Sequence, residues 1–414
     1  MNSNLFPLLE KLYSLQRLGI KTGLKHTEQL LDACQNPQNN LKCIHVAGTN
    51  GKGSTCAMIY SILKETGLKV GLYTSPHLIR FNERIRVNGI PITDNDIITF
   101  INSYWNDIEK IESTFFETTT AMAFWYFNQK KVDYAIIETG LGGRLDSTNV
   151  IIPEISVITR VSLDHCDILG DNIVTIAGEK AGIIKKNIPV ISSDQTAPAR
   201  SVFIEKAGSI GTSVQFISFP NVLKVVPEGT VFSYRESQWT TSLLGEHQAM
   251  NAALAIEAIG LLNLGADDHE VNRGLMKTMW PGRFQMMSPD SSVIYDVAHN
   301  AEGIHRTLIT MKRLFKEKPV GLIALKEDKE LTLVAEALRG HFKAIWTMDD
   351  EQLIQKGELS DYLKRVNIQS KPIENLEQFF HQVSHSQPCL IFGSHYISDK
   401  IFSHFHFSFD NGRI

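Results

Sequence analysis

The 414 residues carry a formal net charge of −4, with 43% hydrophobic and 21% charged side chains, a balance that excludes extended disorder and suits two or three globular domains. The small acidic excess excludes the broad basic footprint expected of a nucleic-acid or anionic-membrane binder. Five cysteines, an odd number with no C-x-x-C pair, argue against a disulfide framework or a zinc ribbon, and neither a basic leader after Met1 nor an apolar run of membrane-spanning length is present, so a reducing cytoplasmic setting is expected.

The first strong element is Lys42 to Ala47, which alternates as a strand does, followed by the glycine-rich turn Gly48-Thr49-Asn50-Gly51-Lys52-Gly53-Ser54-Thr55 and a helix-like run from Cys56 to Leu63. Strand, glycine-rich loop and helix together make a cradle for a nucleotide phosphate. Glycines let backbone N–H groups turn towards an anion, the helix directs its positive end at the same point, Lys52 meets the outer phosphates, and Ser54 or Thr55 can hold Mg²⁺. The spacing departs from the general phosphate-loop pattern, since two residues separate Gly48 from Gly51-Lys52 and Gly53 precedes the hydroxyls.

Further along, Val70 to Tyr73 reads as a strand, Thr118 to Asn128 as a helix, Tyr134 to Glu138 and Ile155 to Thr159 as strands, and Ile173 to Lys185 as a helix. Val222 to Trp239 is richer in β-formers and turns and reads as a small antiparallel addition, before helices from Glu246 to Leu262 and from Asp268 to Met279. Trp280-Pro281-Gly282-Arg283 breaks the rhythm as a linker, after which strands at Val293 to Ala298, Val320 to Leu325, Ala344 to Thr347 and Cys389 to Phe392 and a helix from Ala301 to Phe315 restart it. The expected architecture is α/β: a mostly parallel phosphate-loop domain over 1–279, a linker over 280–283, and a smaller doubly wound, Rossmann-like domain over 284–414, facing each other across a cleft.

Ligands of open α/β sheets bind at the carboxyl ends of the strands. Glu138 ends such a strand; beside a phosphate loop a carboxylate there is placed to hold Mg²⁺, although alone it reads as a capping or solvated residue. Arg144 and Asp146 in the loop behind it either orient substrate or pair with each other. His165, between Asp164 and Asp167, reads as a loop histidine or as a metal or phosphate ligand. Lys180, among small and apolar helix residues, either snorkels to solvent or is buried with a depressed pKa that lets it capture CO₂. Asn300 is placed to cap the helix behind it, while Asp296 and His299 reach over the sheet edge to form a second wall.

Taken together, these motifs resemble the folylpolyglutamate synthase and dihydrofolate synthase branch of the Mur ligase superfamily. The resemblance runs over nearly the whole chain, through Leu18 to Leu24, Ala47 to Thr55, Tyr73 to Leu78 with Asn82 to Ile85, Glu138 to Asn149, Ser162 to Asp167, Glu179 to Ile183, Gly245 to Gln248 with Asn251-Ala252, Trp280 to Arg283 and Tyr295 to Asn300. It implies ATP-dependent amide synthesis: phosphate transfer to the carboxylate of dihydropteroate or of a folate, then attack by the amine of L-glutamate. By the same resemblance Lys52 binds phosphate, and Ser54, Glu138 and His165 are ligands of two Mg²⁺ ions. Lys180 is the carbamylated lysine beside the second ion. Gly48 to Thr55, Asn251, Arg283, Asp296 and His299 contact ATP, and Ser75, Pro76, His77 and Asp146 handle the pterin or folate. A monomer with small-molecule substrates, and neither nucleic acid nor membrane as partner, is implied.

The chain departs from the family pattern in three places: Ala301 stands where a proline is common, Cys166 replaces a threonine, and Leu325 to Lys329 lacks the usual Asp-Lys-Asp pattern. Two other functions share a phosphate loop: a Mur-type ligase acting on cell-wall precursors or a polyamino acid, and a nucleotide-gated binding module without turnover. The Ser75-Pro76-His77 segment and the Glu138 to Asn149 loop argue against the first, and the polar clusters far from the loop argue against the second.

Overall fold

The computed structural model describes residues 5–19, 23–287, 292–327, 329–383 and 387–407. Ile20, Lys21 and Thr22 of the Leu18 to Leu24 segment, and Asp328, lie outside the described residues. The first sheet has eight strands: β1 (Cys43–Ala47), β2 (Val70–Tyr73), β3 (Ile85–Val87), β4 (Ile90–Pro91), β5 (Tyr134–Glu138), β6 (Ile155–Ile158), β7 (Val190–Ser192) and β8 (Val214–Phe216). Their spatial order is β4-β3-β2-β5-β1-β6-β7-β8, parallel except for the β3 and β4 edge hairpin.

This order puts β1 at the centre, with β5 and β6 as its neighbours. Val46 lies beside Glu138, and Ala47 beside Ile158, so the phosphate loop, Glu138 and Thr159 emerge at one edge of the sheet. Side chains alternate across the sheet. Ile44, Val46, Leu72 and Ile136 face a core shared with helices Lys52–Glu65, Glu246–Leu262 and Asp268–Lys277. Cys43, Tyr73, Ala135 and Ile137 face the opposite core, with helices Leu5–Ser14, Lys25–Ala33, Asp94–Ile111 and Phe115–Lys130. Parallel strands covered on both faces are mostly apolar, and in β1 the one polar side chain is His45 at its middle, fully buried. A polar side chain left without compensation there costs about 1–3 kcal/mol.

The antiparallel addition is a three-stranded sheet of β9 (Asn221–Val226), β10 (Gly229–Tyr234) and β11 (Ser237–Thr241). It joins two cores. Phe232 and Trp239 sit in the core of the first sheet, whereas Val225 belongs to a core built around the last sheet. That last sheet contains β12 (Gln285–Met286), β13 (Val293–Asp296), β14 (Val320–Ile323), β15 (Ile345–Thr347), β16 (Ser370–Pro372) and β17 (Cys389–Phe392), in the order β12-β13-β17-β14-β15-β16 and parallel except for β12. The α/β class with two mostly parallel sheets is as expected from the sequence.

One element ends early. The helix expected from Ile173 to Lys185 stops at Lys180 and gives way to a 3₁₀ turn over Ala181–Ile183. Close packing explains this: Gly182 sits so tightly on the 144 backbone that a Cβ there would lie 2.2 Å from Arg144 Cα. The long amphipathic helix Asp94–Ile111, capped by Thr93, and the helices Leu5–Ser14 and Lys25–Ala33 have no counterpart in the sequence reading. Among the described residues, no helix is long and apolar enough to cross a membrane.

Candidate active site

The phosphate loop is closed in by three different elements. Gly48, at φ 153°, faces the end of β6, where a Cβ would fall 1.8 Å from Thr159 Oγ1; Gly51, at φ 94°, faces helix Glu246–Leu262, with Asn251 Oδ1 2.4 Å from the same imagined atom. Gly53 faces the linker, where a Cβ would fall 2.7 Å from Trp280 Nε1. At contacts below 3.0 Å a side chain at any of the three would have to displace its neighbour, and at Gly48 and Gly51 the positive φ adds backbone strain. The extra glycine of the irregular pattern is thus the seat of the linker tryptophan.

The amides of Thr49 and Asn50 donate to the Arg160 carbonyl at 2.9 and 3.2 Å, which ties the loop to the end of β6. The first intrahelical bond of Lys52–Glu65 runs from Thr55 N to Gly51 O at 2.9 Å, so the amides of Lys52, Gly53 and Ser54 are the unpaired opening turn that suits an anion. Lys52 Nζ curls back over the loop, donating to the carbonyls of Gly48 and Thr49 at 3.2 and 3.3 Å.

A cavity of about 320 Å³ lies above this loop, and a second of about 800 Å³ adjoins it. The smaller is lined by Gly48 to Ser54, Glu138, Lys180, Asn251, Asp296 and His299 among others, a size and lining that suit a nucleotide. Thr55 is fully buried and lies outside that lining, so of the two hydroxyls Ser54 is the one presented. Glu138, His165, Arg283 and His299 line both cavities, as do Ser75 and Pro76, and so mark where the two meet.

Several carboxylates are held in defined poses. Burial pushes the Glu138 carboxyl up, against the pull of Lys52, the Ser75 amide, Arg283 and Arg84; Ser75 N donates to it at 3.2 Å. Asp296 accepts from Phe284 N at 3.0 Å, Ala298 N at 2.8 Å and Thr307 Oγ1 at 3.0 Å, so the last sheet presents it rigidly to the nucleotide cavity. Asp164 is desolvated, yet the hydrogen bond and charge of His299, with His165 and Lys329, hold its carboxyl well below the usual carboxylate range. Lys329 Nζ reaches it at 2.9 Å. Asn300 completes this junction: it exchanges amide hydrogen bonds with Asn50 of the phosphate loop, donates to Asp164 at 3.0 Å and caps the helix Ala301–Leu314 through Gly303 N at 2.8 Å.

Packing decides two of the alternatives left open in the sequence, the exposure of Lys180 and the pairing of Arg144 with Asp146. Lys180 is only 3% exposed, and burial followed by the nearby charge of Lys52 lowers its pKa to about 7; it does not snorkel. Arg144 and Asp146 do not pair with each other. Arg144 reaches Glu179 at 2.8 Å, and Asp146 accepts from Leu141 N and Thr148 at the wall of the larger cavity. His77 lies outside both linings and accepts from Arg84 Nε at 2.7 Å, with its pKa lowered to about 3 by burial and then by Arg84. It is Arg84 that faces the larger cavity.

Three residues in the cleft have no role in the sequence reading. His247, partly buried at the nucleotide cavity with its pKa lowered to about 4 by desolvation and then by the charges of Arg306 and Arg283, belongs to the Gly245 to Gln248 motif, which spacing alone does not interpret. Phe116, on the helix behind Thr114, fills the space a Cβ on Gly140 would need. Lys329 reaches the site from a loop after β14, far along the chain, where no spacing signal exists.

A phosphate loop, a strand-end carboxylate and a second parallel-sheet domain bearing the opposite wall define a Mur-type ATP-dependent ligase. The Mur ligase middle domain family matches residues 46–259. The dihydrofolate synthase/folylpolyglutamate synthase of Bacillus subtilis is 40% identical over 353 residues, 79% of this chain and 82% of that protein. Folylpolyglutamate synthase of Mycobacterium tuberculosis, complexed with ADP, superposes with a TM-score of 0.88 at 28% identity over 97% and 98% of the two chains. E. coli FolC in complex with DHPP and ADP gives 0.84 at 28% identity over 96% and 97%. The chain belongs to the dihydrofolate synthase/folylpolyglutamate synthase family, and its activity is that of an ATP-dependent glutamate ligase.

The seat of Trp280 generates a test. Gly53→Ala should weaken ATP binding about tenfold, as expected for an overpacking strain of 1–3 kcal/mol, and the double variant Gly53→Ala/Trp280→Leu should recover part of it, measured by calorimetric titration.

Proposed function

We propose that the acceptor is the carboxylate of dihydropteroate or of a folate, taken up in the larger cavity while ATP occupies the smaller. The observation that carries this reading is the meeting of the two cavities at Glu138, His165 and Arg283. An acceptor carboxylate there lies next to the γ-phosphate end of the phosphate loop. Loss of oxide from a carboxylate is prohibitive, so its oxygen attacks the γ-phosphorus, ADP leaves, and the mixed anhydride then carries phosphate as a good leaving group. The neutral amine of L-glutamate attacks the acyl carbon, phosphate departs and the surplus amine proton is lost. Positioning and neutralisation of charge supply most of the acceleration.

Lys52 and the opening amides of its helix bind the phosphates in this proposal, with Asn251, Arg283, Asp296 and His299 holding the rest of the nucleotide. Oxygen donors from Ser54 and Glu138 fit Mg²⁺, which is bound by one or two protein groups together with phosphate oxygens and water; among the described residues no group of three His, Cys, Asp or Glu side chains forms a complete metal cage. Bound there, the ion would neutralise charge on the transferring phosphate. His165 and Lys180 line the same cavity, the lysine as a carbamate that would add an oxygen donor for a second ion. Ser75, Pro76 and Asp146 stand on the acceptor side, and Arg84, Lys326 and Lys329 add cationic charge suited to carboxylate-rich substrates. The division into 1–279 and 284–414 about the linker 280–283 is supported by the strands, since those of the first two sheets end by Thr241 and those of the last begin at Gln285. A monomer in a reducing cytoplasm completes the proposal.

Purified protein incubated with ATP, L-glutamate and either dihydropteroate or tetrahydrofolate should yield products one or more glutamyl units heavier by mass spectrometry, and Lys52→Ala should abolish them while retaining the fold by circular dichroism. Turnover with a nucleotide-sugar peptide and with neither pterin would overturn the assignment. Labelled bicarbonate should produce a carbamate carbon resonance that disappears in Lys180→Ala; an unmodified amine in active enzyme would remove the carbamate from the scheme.

A further inference from the structure

His45 is the one polar side chain in the middle of β1, three residues before the phosphate loop, and the scheme above does not use it. Its Nε2 lies 2.8 Å from Thr148 Oγ1. Thr148 Oγ1 in turn lies 2.5 Å from Asp146 Oδ1, which also accepts from Thr148 N at 3.0 Å, while Asp146 Oδ2 accepts from Leu141 N at 2.8 Å. Asp146 lines the larger cavity. A continuous chain of hydrogen bonds therefore runs from the central strand to the cavity wall.

The proton count fixes its direction. A carboxylate only accepts, and Thr148 has a single hydroxyl proton, so that proton goes to Asp146 and the hydroxyl oxygen is left to accept from His45. His45 must then carry its proton on Nε2. The other nitrogen, Nδ1, is buried without a hydrogen-bond partner, as expected of the unprotonated nitrogen in an apolar layer. Burial favours this neutral ring. The opposite tautomer would turn the Thr148 hydroxyl towards the ring and deprive Asp146 of a donor.

We infer that His45 is a positioning residue for the acceptor site: by donating through Thr148 it fixes the Asp146 carboxylate, and with it the Leu141 to Thr148 loop, in the pose that meets the acceptor. This rests on the reading that Asp146 faces the acceptor. An apolar side chain at position 45 would be cheaper to bury, so what the imidazole contributes is orientation.

The test measures the KM of the wild-type enzyme and variants for ATP and for whichever of dihydropteroate and tetrahydrofolate is used better. His45→Leu should raise the acceptor KM about tenfold, the loss expected for a buried hydrogen bond, with the ATP KM changed less than about twofold and no fall in the thermal midpoint. Thr148→Val should do the same, the two together should be no worse than either, and His45→Gln, which returns an N–H near the position of Nε2, should restore most of the affinity. An acceptor KM unchanged in Asp146→Asn would overturn the reading of the acceptor site itself. A raised acceptor KM in Asp146→Asn with a normal one in His45→Leu would overturn the relay alone. Equal rises in both KM values, without rescue by glutamine, would reduce His45 to a packing residue and also overturn it.

Discussion

The cleft is arranged around a short loop whose three glycines are each crowded by a different element. The end of β6, the helix Glu246–Leu262 and the linker each come within van der Waals exclusion of one phosphate-loop glycine. The loop is therefore held from three sides before any ligand arrives. Such rigidity serves catalysis of phosphate transfer, in which there is little covalent work for the protein and the gain lies in holding donors where charge will develop.

The central position of β1 distributes the chemistry. Its carboxyl end becomes the phosphate loop, its neighbour β5 delivers Glu138 at the same level, and β6 delivers the Thr159 to His165 segment on the other side. Charges then balance across the cleft. Asp164 from the first sheet's loops is embraced by His299 and Lys329 from the last sheet's loops, and Asn300 joins it to Asn50. Lys180, by contrast, stands buried beside another lysine, a setting that favours the neutral, nucleophilic amine.

Much of this was legible in the chain because it is local. Alternation located the central strands, the strand-to-helix glycine turn located the phosphate loop, and Asn300 could be recognised as a cap from its place before a helix. What was not legible depends on tertiary closeness. Nothing near Gly53 foretells a tryptophan more than two hundred residues away, and the buried guise of Lys180 follows from packing rather than from its helical neighbours. The early end of its helix likewise depends on the approach of Gly182 to Arg144, two segments whose contact no periodicity encodes. His45 sits in a strand that reads correctly as a strand, and its meaning appears only when Thr148 and Asp146 are brought beneath it.

Contact between Trp280 and Gly53 has a bearing on how this molecule can change. A segment that reads as a tether between two domains touches the nucleotide loop, while Val225, from before the tether, packs into the core beyond it. The halves are consequently not interchangeable parts. A chimera joined at the tether would inherit a tryptophan fitted to one loop and a hydrophobic core fitted to one small sheet, so recombination within such a lineage is constrained to exchange these surfaces together or not at all.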